Sequence, residues 1–136
     1  MSQADKEALI CMANAFGRGE SWLTNRNGYN SDVSGWRGIL VTDGRVTSIG
    51  WRKKKGLSGS IPKEIGYLTN LKGLLLYDNS LSGDIPIEIC NLTNLQTLCL
   101  SGNNLSCEMP NISNDRIGVI QFFERLRKRV SQVLQQ

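Results

Sequence analysis

Apolar residues recur through the middle of the chain in blocks with a 24-residue period. Leu57-Ser58-Gly59-Ser60-Ile61-Pro62 returns as Leu81-Ser82-Gly83-Asp84-Ile85-Pro86, and again as Leu105-Ser106-Cys107-Glu108-Met109-Pro110. Leu68-Thr69-Asn70-Leu71 returns as Leu92-Thr93-Asn94-Leu95 at the same step. A fixed period of this length marks stacked supersecondary units, a solenoid rather than a closed globule. Within one unit, Leu74 and Leu76 alternate as a short strand does, so both point into the core. Asn79 falls at the following turn, where its amide can satisfy backbone groups, and Asn103 is the next rung of the same ladder. Pro62 and Pro86 suit the opposite side of each unit, and Ile65 and Ile89 return the chain across the core.

The flanks obey other periods. Leu9, Met12, Ala13 and Phe16 line one face of a helix over residues 3–16; Asp5 and Glu7 favour its start and Gly17 its end. A loop rich in Gly, Asn and Ser follows, anchored by Trp22 and Trp36. A short strand is expected over 38–41, then a two-residue hairpin turn at Asp43-Gly44, then the first repeat strand over 46–51. Between Ile49 and Leu57 there is one residue more than between Leu74 and Leu81. Lys54 or Lys55 takes the Asn place there, and a bulge is expected. The third repeat runs to Pro110 and Ile112 and stops. Residues 115–134 form the clearest helix, with Val119, Ile120, Phe123, Leu126, Val130, Val133 and Leu134 at three- and four-residue steps. Ser113 or Asn114 supplies its N-cap, and Asp115 suits the positive end of the dipole. The chain therefore divides into an N-terminal cap over 1–45, about three repeats over 46–112, and a C-terminal amphipathic helix over 113–136, all within one domain.

Composition narrows the chemistry. The chain contains no histidine, the commonest general acid/base and metal ligand. It has no Cys-x-x-Cys pair and no glycine-rich phosphate loop, so an enzyme, a metal and a cofactor are all unexpected. Glu64 and Glu88, one period apart, read as a solvent-facing row rather than a catalytic pair. The net charge of +4 is uneven: half of the basic residues lie in 52–55 and 125–129. Those runs suit a solvated face first and an acidic partner second; no aromatic platform supports nucleic-acid binding. Cys90 occupies the place of Gly66, and Cys107 that of Gly59 and Gly83, so both read as packing substitutions. Sequons at Asn91, Asn104 and Asn111 follow from the repeat wording itself. The polar N-terminus lacks a secretory leader and no run of about 18 apolar residues exists, so a cytoplasmic protein is expected.

The wording Leu-Ser-Gly-x-Ile-Pro-x-Glu-Ile resembles the plant-specific leucine-rich repeat of receptor kinases and polygalacturonase-inhibiting proteins. Asp5-Lys6-Glu7-Ala8-Leu9, Trp22, Ser34-Gly35-Trp36-Arg37-Gly38-Ile39 and Asp43-Gly44-Arg45-Val46-Thr47-Ser48-Ile49 resemble that family's N-terminal cap. The likeness covers roughly residues 5–112. The family's extracellular caps carry a cysteine on each side of the Trp-x-Gly core, whereas the neighbourhoods of Val33-Ser34 and Val41 hold none. That difference fits a reducing compartment.

The resemblance implies an α/β solenoid: a short leucine-rich repeat domain with a parallel concave β-sheet and a helical N-terminal cap. Residues 113–136 match nothing in that family, and their own periodicity reads as a C-terminal capping helix that seals the last repeat. It also implies a non-enzymatic module that binds a protein partner on the concave face. By register, the partner-binding positions are Ser48, Gly50, Arg52 and Lys53, then Gly73, Leu75, Tyr77 and Asp78, then Thr97, Cys99 and Ser101, with Gly102 beside them. Leu75, Tyr77 and Cys99 would form an apolar strip with a basic edge at Arg52 and Lys53, with Tyr and Arg of hot-spot type. The alternative makes the basic C-terminal helix the working element. It would bind a partner groove, act as a calmodulin-type target with Ile120 and Val133 as anchors, lie on an acidic membrane, or self-associate.

Overall fold

The computed structural model describes residues 2–18, 38–51, 56–106 and 111–134, the last three as backbone. The expectations at Trp22, Trp36, residues 52–55, Cys107 and Pro110 lie outside them. In chain order the elements are α1 (Gln3–Ala15), β1 (Ile39–Thr42), β2 (Arg45–Gly50), β3 (Ser58–Gly59), β4 (Gly73–Leu75), β5 (Ser80–Gly83), β6 (Thr97–Cys99), β7 (Asn104–Leu105), β8 (Asn111–Ile112) and α2 (Arg116–Leu134). Two 3₁₀ segments, Lys63–Tyr67 and Ile87–Asn91, follow the Ile-Pro pairs. The larger sheet has the order β1-β2-β4-β6-β8, and the smaller one, on the other side of each repeat, β3-β5-β7.

Alternation places the core. Ile49, Leu74 and Leu98 are in register across β2, β4 and β6 and fully buried. Leu76 and Leu100 end the strands, and Leu71 and Leu95 precede them, all equally buried. Ile65 and Ile89 close the layer from the 3₁₀ side. The polar groups between these leucines are satisfied by the asparagine ladder. Asn79 Nδ2 donates to the carbonyls of Trp51 (2.8 Å) and Leu76 (3.0 Å), while its Oδ1 accepts from Leu57 N. Asn103 repeats the arrangement one unit later, donating to Leu76 (2.9 Å) and Leu100 (3.0 Å) and accepting from Leu81 N (3.0 Å). Each amide therefore ties its own turn to the preceding repeat.

The first end of the stack is closed by α1 and the β1–β2 hairpin. Ser2 caps α1, and Ala8, Leu9, Met12, Ala13 and Phe16 are buried, with Phe16 edge-on to Trp51 at 6.4 Å. The expected turn forms, with Asp43 and Gly44 both at positive φ (53° and 78°), as a two-residue hairpin demands. Asp5 does more than favour the helix start. Its side chain is fully buried, accepts Arg45 Nε at 2.9 Å and a second guanidinium contact at 3.1 Å, and accepts Val46 N at 2.9 Å. A buried carboxylate is tolerated only with such partners, so this group joins α1 to the hairpin.

The other end departs from the repeat. Ile112 does not complete a third unit: β8 turns back and pairs antiparallel with β6, Leu98 opposite Ile112 and Cys99 opposite Asn111. The concave sheet is thus parallel in its three central strands and antiparallel at both edges. The capping helix then covers the last leucines through Val119, Phe122, Phe123 and Leu126, all buried. Phe122 takes the core place expected for Ile120, which is 40% exposed, because the contact face is rotated toward Phe122. The N-cap is Asp115 rather than Ser113 or Asn114, for its carboxylate accepts Gly118 N at 3.1 Å. Asn114 instead adopts φ 53° in the turn before the helix, and its N–H bonds Thr97 Oγ1.

The same end explains Cys90. A Cβ on Gly66 would lie 2.9 Å from the Glu88 carbonyl oxygen, so repeat-on-repeat packing excludes a side chain there. Cys90 faces α2, with Sγ 3.9 Å from the Phe123 carbonyl, and the packing reading of this substitution holds.

Asn103→Ala leaves the buried groups of Leu76, Leu100 and Leu81 short of partners. A loss of about 2 kcal/mol is expected, measured by urea unfolding, while the exposed Ser80→Ala control stays within about 0.5 kcal/mol of the parent.

Candidate concave interface

Side chains between the inward leucines of β2, β4 and β6 project from the open face of the larger sheet. Ser48, Gly73 and Thr97 form one row across it, and Gly50, Leu75 and Cys99 the next. Gly73 lowers the floor of the first row: a Cβ there would meet Ser48 Oγ at 3.3 Å and Thr97 Cβ at 3.9 Å. The result is an open depression of about 330 Å³ lined by Leu40, Thr42, Thr47, Ser48, Lys72, Gly73, Gln96 and Thr97. A second, of about 490 Å³, is lined by Leu75, Tyr77, Thr97, Cys99, Ser101, Asn111 and Ser113. Thr97 belongs to both, so together they make one shallow groove rich in hydroxyl and amide groups. Among the described residues, Lys72 is the only charged side chain lining it.

Seven of the positions expected from register line this groove: Ser48, Gly73, Leu75, Tyr77, Thr97, Cys99 and Ser101. Gly50 and Asp78 do not. Gly50 N donates to the Gly38 carbonyl, which faces it from the hairpin side. Asp78, at φ 58°, sits past the strand end against Gly102, with its N–H on the Ser101 carbonyl. Arg52 and Lys53 lie outside the described residues. Register alone missed Leu40, Thr42 and Thr47, which the antiparallel hairpin contributes, and Asn111 and Ser113, which β8 brings in. Neither addition follows from the 24-residue period; the alternation around Asp43-Gly44 was the one local signal for the first.

Cys99 corrects the expected apolar strip. It is 7% exposed rather than open, because β8 lies beside it and Sγ is 3.9 Å from the Ile112 carbonyl. The exposed apolar surface of the groove is therefore Leu75 with Tyr77, extended at the far edge by Leu40, which is 59% exposed. Burial pushes the Cys99 thiol above its ordinary range. Cys90 is pushed the same way, mainly by burial, with Arg127 opposing and Glu88 adding. Cys11 is raised by burial, then by Glu64 and Glu7. All three are free cysteines, held as thiols at neutral pH.

Among the described residues, no three His, Cys, Asp or Glu side chains converge as a metal site, and no helix is long and apolar enough to cross a membrane. Of the apolar side chains of α2 that are described, Val119, Phe122, Phe123 and Leu126 are buried in the core, and Ile117 (69% exposed) and Ile120 face out. Of the two calmodulin-type anchors, Ile120 is accessible and the Val133 side chain lies outside the described residues.

The sequence profile of the family Leucine Rich Repeat matches residues 70–92 and 94–115. The ectodomain of BIR2 from Arabidopsis thaliana is 32% identical, with a TM-score of 0.64 over 74% of this chain and 56% of that one. These are leucine-rich repeats of the plant type. The repeat chain is also similar to a plant ice-binding protein (28% identity, TM-score 0.65, 76% of this chain and 34% of that one). A chain of the BIR3–SERK2 complex from Arabidopsis thaliana matches at 30% identity and TM-score 0.53, over 76% of this chain and 54% of that one. The repeat chain thus spans little more than half the length of those receptor ectodomains, and about a third of the ice-binding protein. The comparison with curated proteins gave no match.

Alkylation by iodoacetamide at pH 8 is expected to be at least about tenfold slower at Cys99 in the folded chain than in urea. Its rate should keep rising with pH beyond the range where a free thiol levels off. Equal rates at pH 8, read by peptide mass spectrometry, would place Cys99 on an open strand.

Proposed function

We propose that this chain is a non-enzymatic module that holds a protein partner in the concave groove joined at Thr97. The observation carrying the proposal is that groove: two depressions, continuous across β2, β4, β6 and β8, on a face whose backbone is already paired. Binding needs little ordering, since the walls are built from strands locked by the core beneath them. Leu75 and half-buried Tyr77 supply apolar contact, and Ser48, Gln96, Thr97, Ser101 and Asn111 supply hydrogen bonds. The BIR3–SERK2 similarity supports a protein as the occupant. The alternative, α2 as the working element, loses Val119, Phe122, Phe123 and Leu126 to the core; among the described side chains, self-association would rest on Ile117 and Ile120. A cytoplasmic, reducing location is favoured by free Cys11, Cys90 and Cys99 and by the missing cap cysteines. Nucleic acid and acidic membrane are disfavoured as occupants, because no aromatic platform or base-reading motif accompanies the basic run at 52–55.

A photo-crosslinking residue placed at Leu75 or Thr97, in extract of the source cell, should give a protein adduct that the same residue at Ser82 on the opposite sheet does not. The Leu75→Asp/Thr97→Arg double variant, with an unchanged circular dichroism spectrum, should lower partner capture at least about tenfold. Adducts from Ser82 alone would move the interface to the other side.

A further inference from the structure

The last turns of α2 read Arg127-Lys128-Arg129-Val130-Ser131. Ser131 is exposed, and so are the three cations before it. Among the residues of α2 whose side chains are described, Leu126 is the last buried one and Val130 is half-buried. Arg129 donates to the Ser106 carbonyl at 2.7 Å, a polar tether just before Ser131. An exposed hydroxyl, preceded by exposed cations at two, three and four residues, has the chemistry of a kinase substrate.

We propose that Ser131 is a phosphoacceptor for a basophilic serine kinase, a class whose substrate groove reads cations N-terminal to the acceptor. In the step, Ser131 Oγ attacks the γ-phosphorus of ATP. A new O–P bond forms, the bond to the ADP oxygen breaks, and the hydroxyl proton passes through the kinase's carboxylate base to solvent. The phosphate brings a charge of about −1.5 to −2 at neutral pH. Lys128 and Arg127, three and four residues earlier, lie on the neighbouring helix surface and pair with it. About half of the positive charge at Arg125, Arg127, Lys128 and Arg129 is thereby cancelled, so α2 becomes a much less basic surface.

Ser58 is the competing acceptor, exposed and three residues after Lys55. It differs in being held inside the stack: β3 pairs with β5, and Ser58 N donates to the Phe16 carbonyl at 3.2 Å. Releasing it breaks the junction between α1 and the first repeat, whereas opening α2 around Ser131 costs the Arg129 contact to the Ser106 carbonyl and no strand pairing.

The test incubates the full native chain with Mg-ATP and the purified catalytic subunit of a cyclic-AMP-dependent protein kinase, and locates phosphate by fragmentation mass spectrometry. Near-stoichiometric label at Ser131 is expected, with earlier elution from a cation exchanger. Arg127→Gln/Lys128→Gln, folded by circular dichroism, should lower the labelling rate at least about tenfold. A free peptide covering 125–136 serves as the unfolded reference. Label on the peptide but not on the native chain, label on neither, label at Ser58 instead, or a rate indifferent to the two cations would each overturn the proposal.

Discussion

No repeat in this stack can bury its own leucines; each needs a neighbour on both sides, and there are only about three of them. That constraint governs the rest of the molecule. Asn79 and Asn103 make the neighbour relation specific, because each amide closes its own turn while bonding the carbonyl of the unit before it. A slip between repeats would strand these groups in the interior, where an unpaired donor or acceptor costs about 1–3 kcal/mol. The outer faces of the first and last units have no repeat to meet, so the flanks must supply one. At the first end a buried carboxylate, Asp5, fixes a helix to a hairpin through Arg45 and Val46. At the last, four apolar side chains of α2 stand in for the missing unit.

Closing the ends also shapes the open face. Both edges of the concave sheet turn antiparallel, so the groove is walled by residues outside its parallel strands: Leu40 and Thr42 on one side, Asn111 and Ser113 on the other. In a long solenoid such walls would be far apart. Here they lie only three strands from one another, and a small scaffold acquires a bounded depression. The same closure hides Cys99 and makes room for Cys90.

The stacking period made the central part legible: inward Leu74, Leu76 and Leu98, the asparagine rungs and half of the groove-lining positions all follow from a 24-residue offset. The flanks were readable as elements but less so as contacts. The helix of Asp5 was plain from its apolar spacing, yet its tie to Arg45 spans forty residues and leaves no local pattern. The phase of α2 was ambiguous because Ile117, Ile120, Phe122 and Phe123 offer two overlapping apolar stripes, and only the shape of the last repeat selects between them. Likewise β8 is two residues long, too short to show alternation, so its covering of Cys99 was invisible.

If the two flanks do replace missing repeats, then the caps and the three central strands form one cooperative unit. Native-state hydrogen exchange measures this directly, amide by amide. The amides of Leu74, Leu76, Leu98 and Phe123 should then exchange with one common opening free energy, equal to that of global unfolding. A clearly lower value for Phe123 and Leu98 than for Leu74, with the first repeats still protected, would show that α2 is an appendage and contradict the account.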